Sequence, residues 1–270
     1  MPLDENKRQR IQNVVKKILT KRRGKFPVDD SDNRNAPFHE IFLTAFEEHL
    51  RPYNIPIPKL ISLTSWLHGL NTSLGTGFEH LASILNGGMK RKFTEGATLH
   101  ITTIQSKRIT EIVNGLKRNG NPNLQRENDL LFSEEAMQGE RQEALGFTAD
   151  NYIETATFIQ AIELKTVRPN SGVGIGEKQK ILNAKAAFKL LCPTKEVRFY
   201  MGFPFDPTSS TPAGYDKESF FRYLVEFKKF FAPDEVLIGG ELWDHLSGQS
   251  NTMESILEIV RETVQNIQTR

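Results

Sequence analysis

The sequence is short of the features that would tie it to a membrane, a secretory route or a thiol site. It has one cysteine, Cys192, in 270 residues. A single thiol excludes an intramolecular disulfide and argues against a Cys-based zinc site, and it fits a reducing, cytoplasmic setting. No apolar run approaches the roughly 20 residues that cross a bilayer, and mean hydropathy is −0.44. The N-terminus is basic but lacks the apolar stretch of a secretory signal. Charge of one sign is not in excess: 35 Lys and Arg face 33 Asp and Glu, for a net +2. Overall charge therefore singles out no nucleic-acid partner. The histidines (39, 49, 68, 80, 100, 245) show no HExxH or HxH metal spacing, and no G-x-S-x-G nucleophile elbow occurs. With 38% hydrophobic and 25% charged residues, the chain has a globular composition and is long enough to bury a sizeable core.

What is present is uneven charge. Nine basic residues between Lys7 and Lys25 have no acidic residue among them, and Lys90, Arg91 and Lys92 form a second cluster. Either cluster suits a solvated face or a nucleic-acid contact. Residues 4–22 carry Ile11, Val14, Val15, Ile18 and Leu19 on one helical stripe. Gly24 to Pro37 reads as a loop, and Phe38 to Leu50 as a helix stopped by Pro52, Pro56 and Pro58. Residues 59–69 and 76–86 read as two helices with a break at Asn71 to Gly75. Ile104 to Lys117 reads as another, ended by Asn119-Gly120-Asn121-Pro122.

The second half changes character. Phe147 to Glu154 and Phe158 to Val167 read as strands, Glu177 to Leu191 as a helix, and Glu196 to Phe203 as a third strand. Lys217 to Phe231 reads as a helix with core-facing aromatics, Glu235 to Ile238 as a short strand, and Met253 to Ile267 as a terminal helix. This pattern is α/β, with a mostly helical N-terminal part. The expected division is a helical extension over 1–60 and a core over 61–270, or one continuous domain.

The chemistry concentrates in Asp150 to Lys165, DNYIETATFIQAIELK. Strand side chains alternate, so Glu163 and Lys165 share one face while Ile162 and Leu164 take the other. Opposite charges on one face of an apolar strand are costly unless paired or coordinating something. If the two strands pair, Asp150 reaches Glu163. Two converging carboxylates suit Mg²⁺, a hard cation that keeps waters in its shell. Lys165 would then orient water and offset charge on a phosphate, its acid–base role left open. The bare [DE]-x-K pattern also occurs at Glu5/Lys7 and Glu226/Lys228. Only Glu163/Lys165 follows a spaced Asp on an apolar strand. A strand-end salt bridge is the competing reading. Glu79, early in the helix near Thr76, is either a third carboxylate of the site or one favoured by the helix dipole.

These residues resemble the PD-(D/E)XK nuclease superfamily, and more narrowly the TdeIII/MjaII group of type II restriction endonucleases. The resemblance is carried by SWLHGLNTSLGTGFEHLA at 65–82, TADNYIE at 148–154, IELKTVRPNSG at 162–172 and GFPFDP at 202–207. It implies a restriction-endonuclease-like mixed-sheet core flanked by helices. It implies that Asp150, Glu163 and Lys165 are catalytic, with Asp150 and Glu163 holding Mg²⁺ and Glu79 as the helix carboxylate. Ala149 stands where the superfamily signature has Pro, which leaves Asn151 and Glu154 as alternatives to Asp150. The group is associated with a GGNCC palindrome, which implies a homodimer on double-stranded DNA. A cognate DNA methyltransferase is implied genetically, not as a bound subunit.

The Gly172–Gly176 run lacks phosphate-loop spacing and reads as a flexible loop near DNA. Arg168, Asn170 and Ser171 are its candidate DNA contacts. Lys178 and Lys185, two turns apart, read as facing the DNA backbone, with a solvated helix face as the competing reading. Two other functions compete with restriction: a structure-specific repair nuclease of the same fold, and a non-catalytic DNA-binding protein.

Overall fold

Alternating side chains on the strands of the second half build the centre of the molecule. The computed structural model describes residues 3–28, 35–93, 99–165, 171–224 and 227–268. A five-stranded sheet runs in the order β1 (Met89–Phe93), β4 (Phe147–Glu154), β5 (Phe158–Leu164), β6 (Glu196–Phe203), β7 (Val236–Ile238). β1, β4 and β5 pair antiparallel, while β5, β6 and β7 pair parallel. The parallel β5–β6 pair needs a crossover, supplied by α8 (Ser171–Leu191). β2 (His100–Thr102) and β3 (Arg141–Glu143) form a separate pair.

The two faces of the sheet bury different cores. Ile159 and Ala161 of β5 join Ile181, Leu182 and Phe188 of α8 and Ile109, Val113 and Leu116 of α5 (Thr103–Asn119). Ile162 faces the opposite way. It packs with α1 (Glu5–Arg23), α4 (Ile57–Asn86), α10 (Gly240–Ser247) and α11 (Thr252–Gln268) through Ile11, Leu85, Trp243 and Ile256. The expected period-two segregation of β5 is therefore present, and the sheet is the middle of three layers. Of the aromatics expected to face the core, Phe220, Phe227, Phe230 and Phe231 are buried and Phe221 is partly buried, but Tyr223 is exposed. Their segment is α9 (Lys217–Tyr223) and a 3₁₀ turn, Phe227–Lys229, rather than one helix.

Helix α4 departs from the sequence reading. The expected break at 71–75 is absent, and one helix runs for 30 residues. The hydroxyls of Thr72, Ser73 and Thr76 donate to carbonyls four residues back, so they bond within the helix instead of ending it. Gly69 and Gly77 serve packing against α1, while Gly75 faces open space. A Cβ on Gly69 would lie 2.5 Å from Arg22, and one on Gly77 2.8 Å from Ile18. Tertiary contact here overrides local propensity. Phe38 to Leu50 is split into α2 (Pro37–Thr44) and α3 (Glu47–Leu50). Sequence patterning also passed over β1, β2, β3, α6 (Leu124–Phe132), α7 (Glu134–Met137) and α10. No helix among the described residues is long and apolar enough to cross a membrane.

A bulge sits at the start of the site. Met89 is opposite Tyr152, but Arg91 is opposite Ala149. β4 thus spends two residues, Asp150 and Asn151, against the single Lys90 of β1. Such a bulge breaks the alternation and re-aims side chains.

Candidate active site

Asn151 is opposite Ile162 in the β4–β5 ladder, so the next step along it sets Asp150 against Glu163. Both carboxylates are buried. The Leu164 N–H donates to Asp150 Oδ2 at 3.0 Å. Lys165 follows β5, its N–H donating to the Gly202 carbonyl at 2.9 Å. Its ammonium lies 2.8 Å from Glu163 and 2.8 Å from Glu177 of α8. Lys180, one turn along α8, lies 2.9 Å from Glu163 and 2.5 Å from Glu177. On the other side, Lys90 lies 3.2 Å from Asp150 and 2.9 Å from Glu79 of α4. Two sets of ion pairs, Lys90 with Glu79 and Asp150 on one side and Lys165 and Lys180 with Glu163 and Glu177 on the other, therefore meet where Asp150 stands against Glu163.

The electrostatics follow from burial and from neighbours. Burial pushes the Glu163 carboxyl up, Asp150 adds to that push, and Lys180 and Lys165 oppose it. For Lys165, burial disfavours the charged form, but the Glu163 and Glu177 carboxylates outweigh it and raise its affinity for the proton. Lys165 is thus held as a cation. Glu177 is only partly buried, and although that burial acts to raise it, Lys165 and Lys180 hold it below the usual carboxylate range. Lys90 is raised by Glu79 and Asp150 against partial burial.

The family of the type II restriction endonuclease HinfI matches residues 3–264, nearly the whole chain. This chain belongs to that family. It is 42% identical over 265 residues to the type II restriction enzyme MjaII of Methanocaldococcus jannaschii, an alignment covering 96% of this chain and 71% of that protein. The protein is accordingly a type II restriction endonuclease, a site-specific deoxyribonuclease, and its mixed-sheet α/β fold agrees with the resemblance read from the sequence.

Type II restriction endonucleases generally use divalent metal ions. Among the described residues, no three His, Cys, Asp or Glu side chains are grouped to hold a metal by themselves. The oxygen donors of Asp150 and Glu163 do fit a hard divalent ion that takes one or two carboxylates and completes its shell with water and substrate phosphate. Four carboxylates (Glu79, Asp150, Glu163, Glu177) share three ammonium groups (Lys90, Lys165, Lys180), which leaves room for added positive charge.

Several other sequence expectations change in this restriction endonuclease. Neither alternative to Asp150 joins the cluster. Asn151 exchanges amide hydrogen bonds with Asn86 at 2.8 and 3.0 Å, and Glu154 pairs with Lys195 and the Tyr152 hydroxyl. Lys178 and Lys185 do not face DNA: they are 0% and 1% exposed. They share a core-facing stripe of α8 with Ile181, Leu182 and Phe188. Lys178 is enclosed by Glu127 at 2.5 Å and Glu235 at 2.7 Å. The expected loop Gly172–Gly176 is helical, forming the first turns of α8. A Cβ on Gly174 would lie 3.2 Å from Phe230, so a small residue lets the helix approach. Arg168 and Asn170 lie outside the described residues, and for Ser171 only the backbone is described.

Sequence reasoning missed Lys90, Glu177 and Lys180 as members of the site. The basic run 90–92 flagged Lys90 without a strand to carry it. Glu177 and Lys180 carry an i, i+3 signal on α8, legible only once that helix is placed over the end of β5.

Proposed function

We propose that this restriction endonuclease cuts both strands of double-stranded DNA at a short palindrome of the GGNCC type. It acts as a homodimer with Mg²⁺ on Asp150 and Glu163. The observation that carries this reading is the cross-strand placement of Asp150 against Glu163 with the Lys165 ammonium 2.8 Å from Glu163. The GGNCC site rests on the resemblance to the TdeIII/MjaII group. The dimer rests on the match between a two-fold palindrome and a two-fold protein.

Bound there, Mg²⁺ would polarise a phosphate oxygen and lower the pKa of a water. The chain's own groups do the rest. Asp150 is held on the scaffold by the Leu164 N–H, so its remaining oxygen stays aimed at the site. Lys165, held as a cation, orients the attacking water and offsets charge gathering on the phosphate. Water oxygen bonds to phosphorus as the bond to the 3′ oxygen breaks, leaving 5′-phosphate and 3′-hydroxyl ends. Glu177 and Lys180 position Lys165 and Glu163. Glu79 and Lys90 close the other side of Asp150.

Digestion of unmethylated phage DNA with Mg²⁺ or with EDTA tests the reading. Discrete Mg²⁺-dependent bands whose ends map to GGNCC are expected. Bands mapping elsewhere would overturn the site, a smear would remove sequence specificity, and cutting confined to branches would favour a repair nuclease. Lys165→Ala is expected to keep its fold and much of its DNA affinity while losing cleavage.

A further inference from the structure

The basic helix α1 has a binding role that the cutting site does not account for. Arg10, Lys17 and Lys21 are spaced seven and four residues apart, so they stand on one face of α1. That face forms one wall of a groove of about 390 Å³, whose other wall is α4 with Thr72, Thr76 and His80. The groove lining contains no Asp or Glu. All three cations are exposed, and among the described residues none has a carboxylate partner. Arg8 of the same helix shows the contrast, being paired with Glu262 of α11. Unpaired cations aligned along an acid-free groove suit a linear polyanion.

The groove is also placed for it. Glu79 lies between Thr76 and His80 on α4, and its carboxylate is tied through Lys90 to Asp150. One helix therefore carries the groove wall and an edge of the cutting site within two turns. A duplex presents one negative charge per about 1.7 Å of axis, so a scissile phosphate at Asp150 and Glu163 brings flanking phosphates past α4.

We propose that the α1–α4 groove binds the phosphate backbone of the substrate DNA flanking the cleavage position, with Arg10, Lys17 and Lys21 as its cations. This rests on duplex DNA being the substrate. Backbone contacts set register and orientation without reading sequence. The groove therefore supplies affinity, and base reading lies elsewhere.

The test compares the triple variant Arg10→Gln/Lys17→Gln/Lys21→Gln with the wild type on a site-bearing and a scrambled duplex, in EDTA, across about 50 to 200 mM salt. A second triple variant, Lys16→Gln/Arg23→Gln/Lys25→Gln, removes the same charge from residues that do not line the groove. The groove variant should weaken binding equally on both duplexes, and its slope of log affinity against log salt should flatten by about 0.9 per lost contact. The control variant should keep the wild-type slope. Lys17→Gln alone should give about one third of the change, which covers the case of a triple variant that melts early. An unchanged slope, or equal flattening in both triple variants, overturns the proposal. A wild-type protein that neither binds nor cuts DNA would overturn the nuclease reading itself. A wild type that cuts, beside a groove variant of unchanged slope, would overturn the groove alone.

Discussion

The Asp150 carboxylate accepts a hydrogen bond from the backbone N–H of Leu164 at 3.0 Å, across the β4–β5 pair. One of its oxygens serves the scaffold, while Oδ1 lies toward Lys90 at 3.2 Å. The two roles separate by substitution. Asp150→Asn keeps an acceptor for Leu164 and should fold with stability within about 1 kcal/mol of wild type, whereas Asp150→Ala strands a part-buried N–H at a cost of about 1–3 kcal/mol. Both should lose cleavage by at least about 10²-fold. Thermal melts run beside a cleavage assay check the split. A fully active Asp150→Asn would remove Asp150 from the reaction.

Glu177 touches both Lys165 and Lys180. Glu177→Gln keeps the shape and removes the charge that holds them. Single-turnover cleavage is expected to fall by roughly 10²-fold, the scale of a 1 Å misplacement at a reacting centre. DNA affinity should hardly change. Equal losses in rate and binding would mean that Glu177 serves only the fold.

Lys178 stands in the core between Glu127 and Glu235. Burial raises the Glu127 carboxyl, and Lys178 partly counters it. Lys178→Met leaves two buried carboxylates facing one another and should cost about 3–5 kcal/mol, read from denaturant midpoints. Adding Glu127→Gln should recover part of that loss. Cleavage by the folded fraction should persist, since Lys178 reaches no DNA.

Lys185 gives a pH dependence. Burial pushes its ammonium down to about 8 from an ordinary 10.5, with Lys178 acting the same way and Glu235 and Glu127 opposing. Below pH 8 both folded and unfolded chains carry the proton, and the full cost of about 3 kcal/mol is present. Between about 8 and 10.5 the unfolded chain binds a proton that the folded chain has released, so this group's contribution to stability rises with pH. Lys185→Met should melt higher than wild type at pH 7, and the advantage should shrink toward pH 10. A difference that stays constant with pH would place the titration elsewhere.

The sequence carried the parts of the site that lie on one short segment. Period-two alternation was enough to put Glu163 and Lys165 together and Ile162 on the other face, because β5 is regular. The 13-residue step back to Asp150 matched the antiparallel ladder. Regularity failed where tertiary contacts decide. Lys178 and Lys185 looked like surface lysines because a helix stripe shows which residues share a face, not which face is inward. The answer lay in Glu127 and Glu235, far along the chain in either direction. Lys90 sits on an edge strand with a single buried residue, Phe93, so no apolar alternation announced the strand. The small and hydroxylated residues at 71–75 resembled a break because the close packing of Gly69 and Gly77 on α1, to either side of them, is invisible locally.

Helix α4 has a mechanical consequence. Thirty residues at 1.5 Å each make a strut of about 45 Å. About a third of the way along, the Trp66 indole donates to the Arg22 carbonyl at 3.0 Å. Thirteen residues on, about 20 Å away, the strut carries Glu79. A tilt of roughly 5° about the Trp66 anchor would sweep that carboxylate through nearly 2 Å over this length, more than the misplacement that costs about 10²-fold at a reacting centre. The N-terminal helix thus acts as a brace on a lever, and loosening it would blunt the blade without touching the edge.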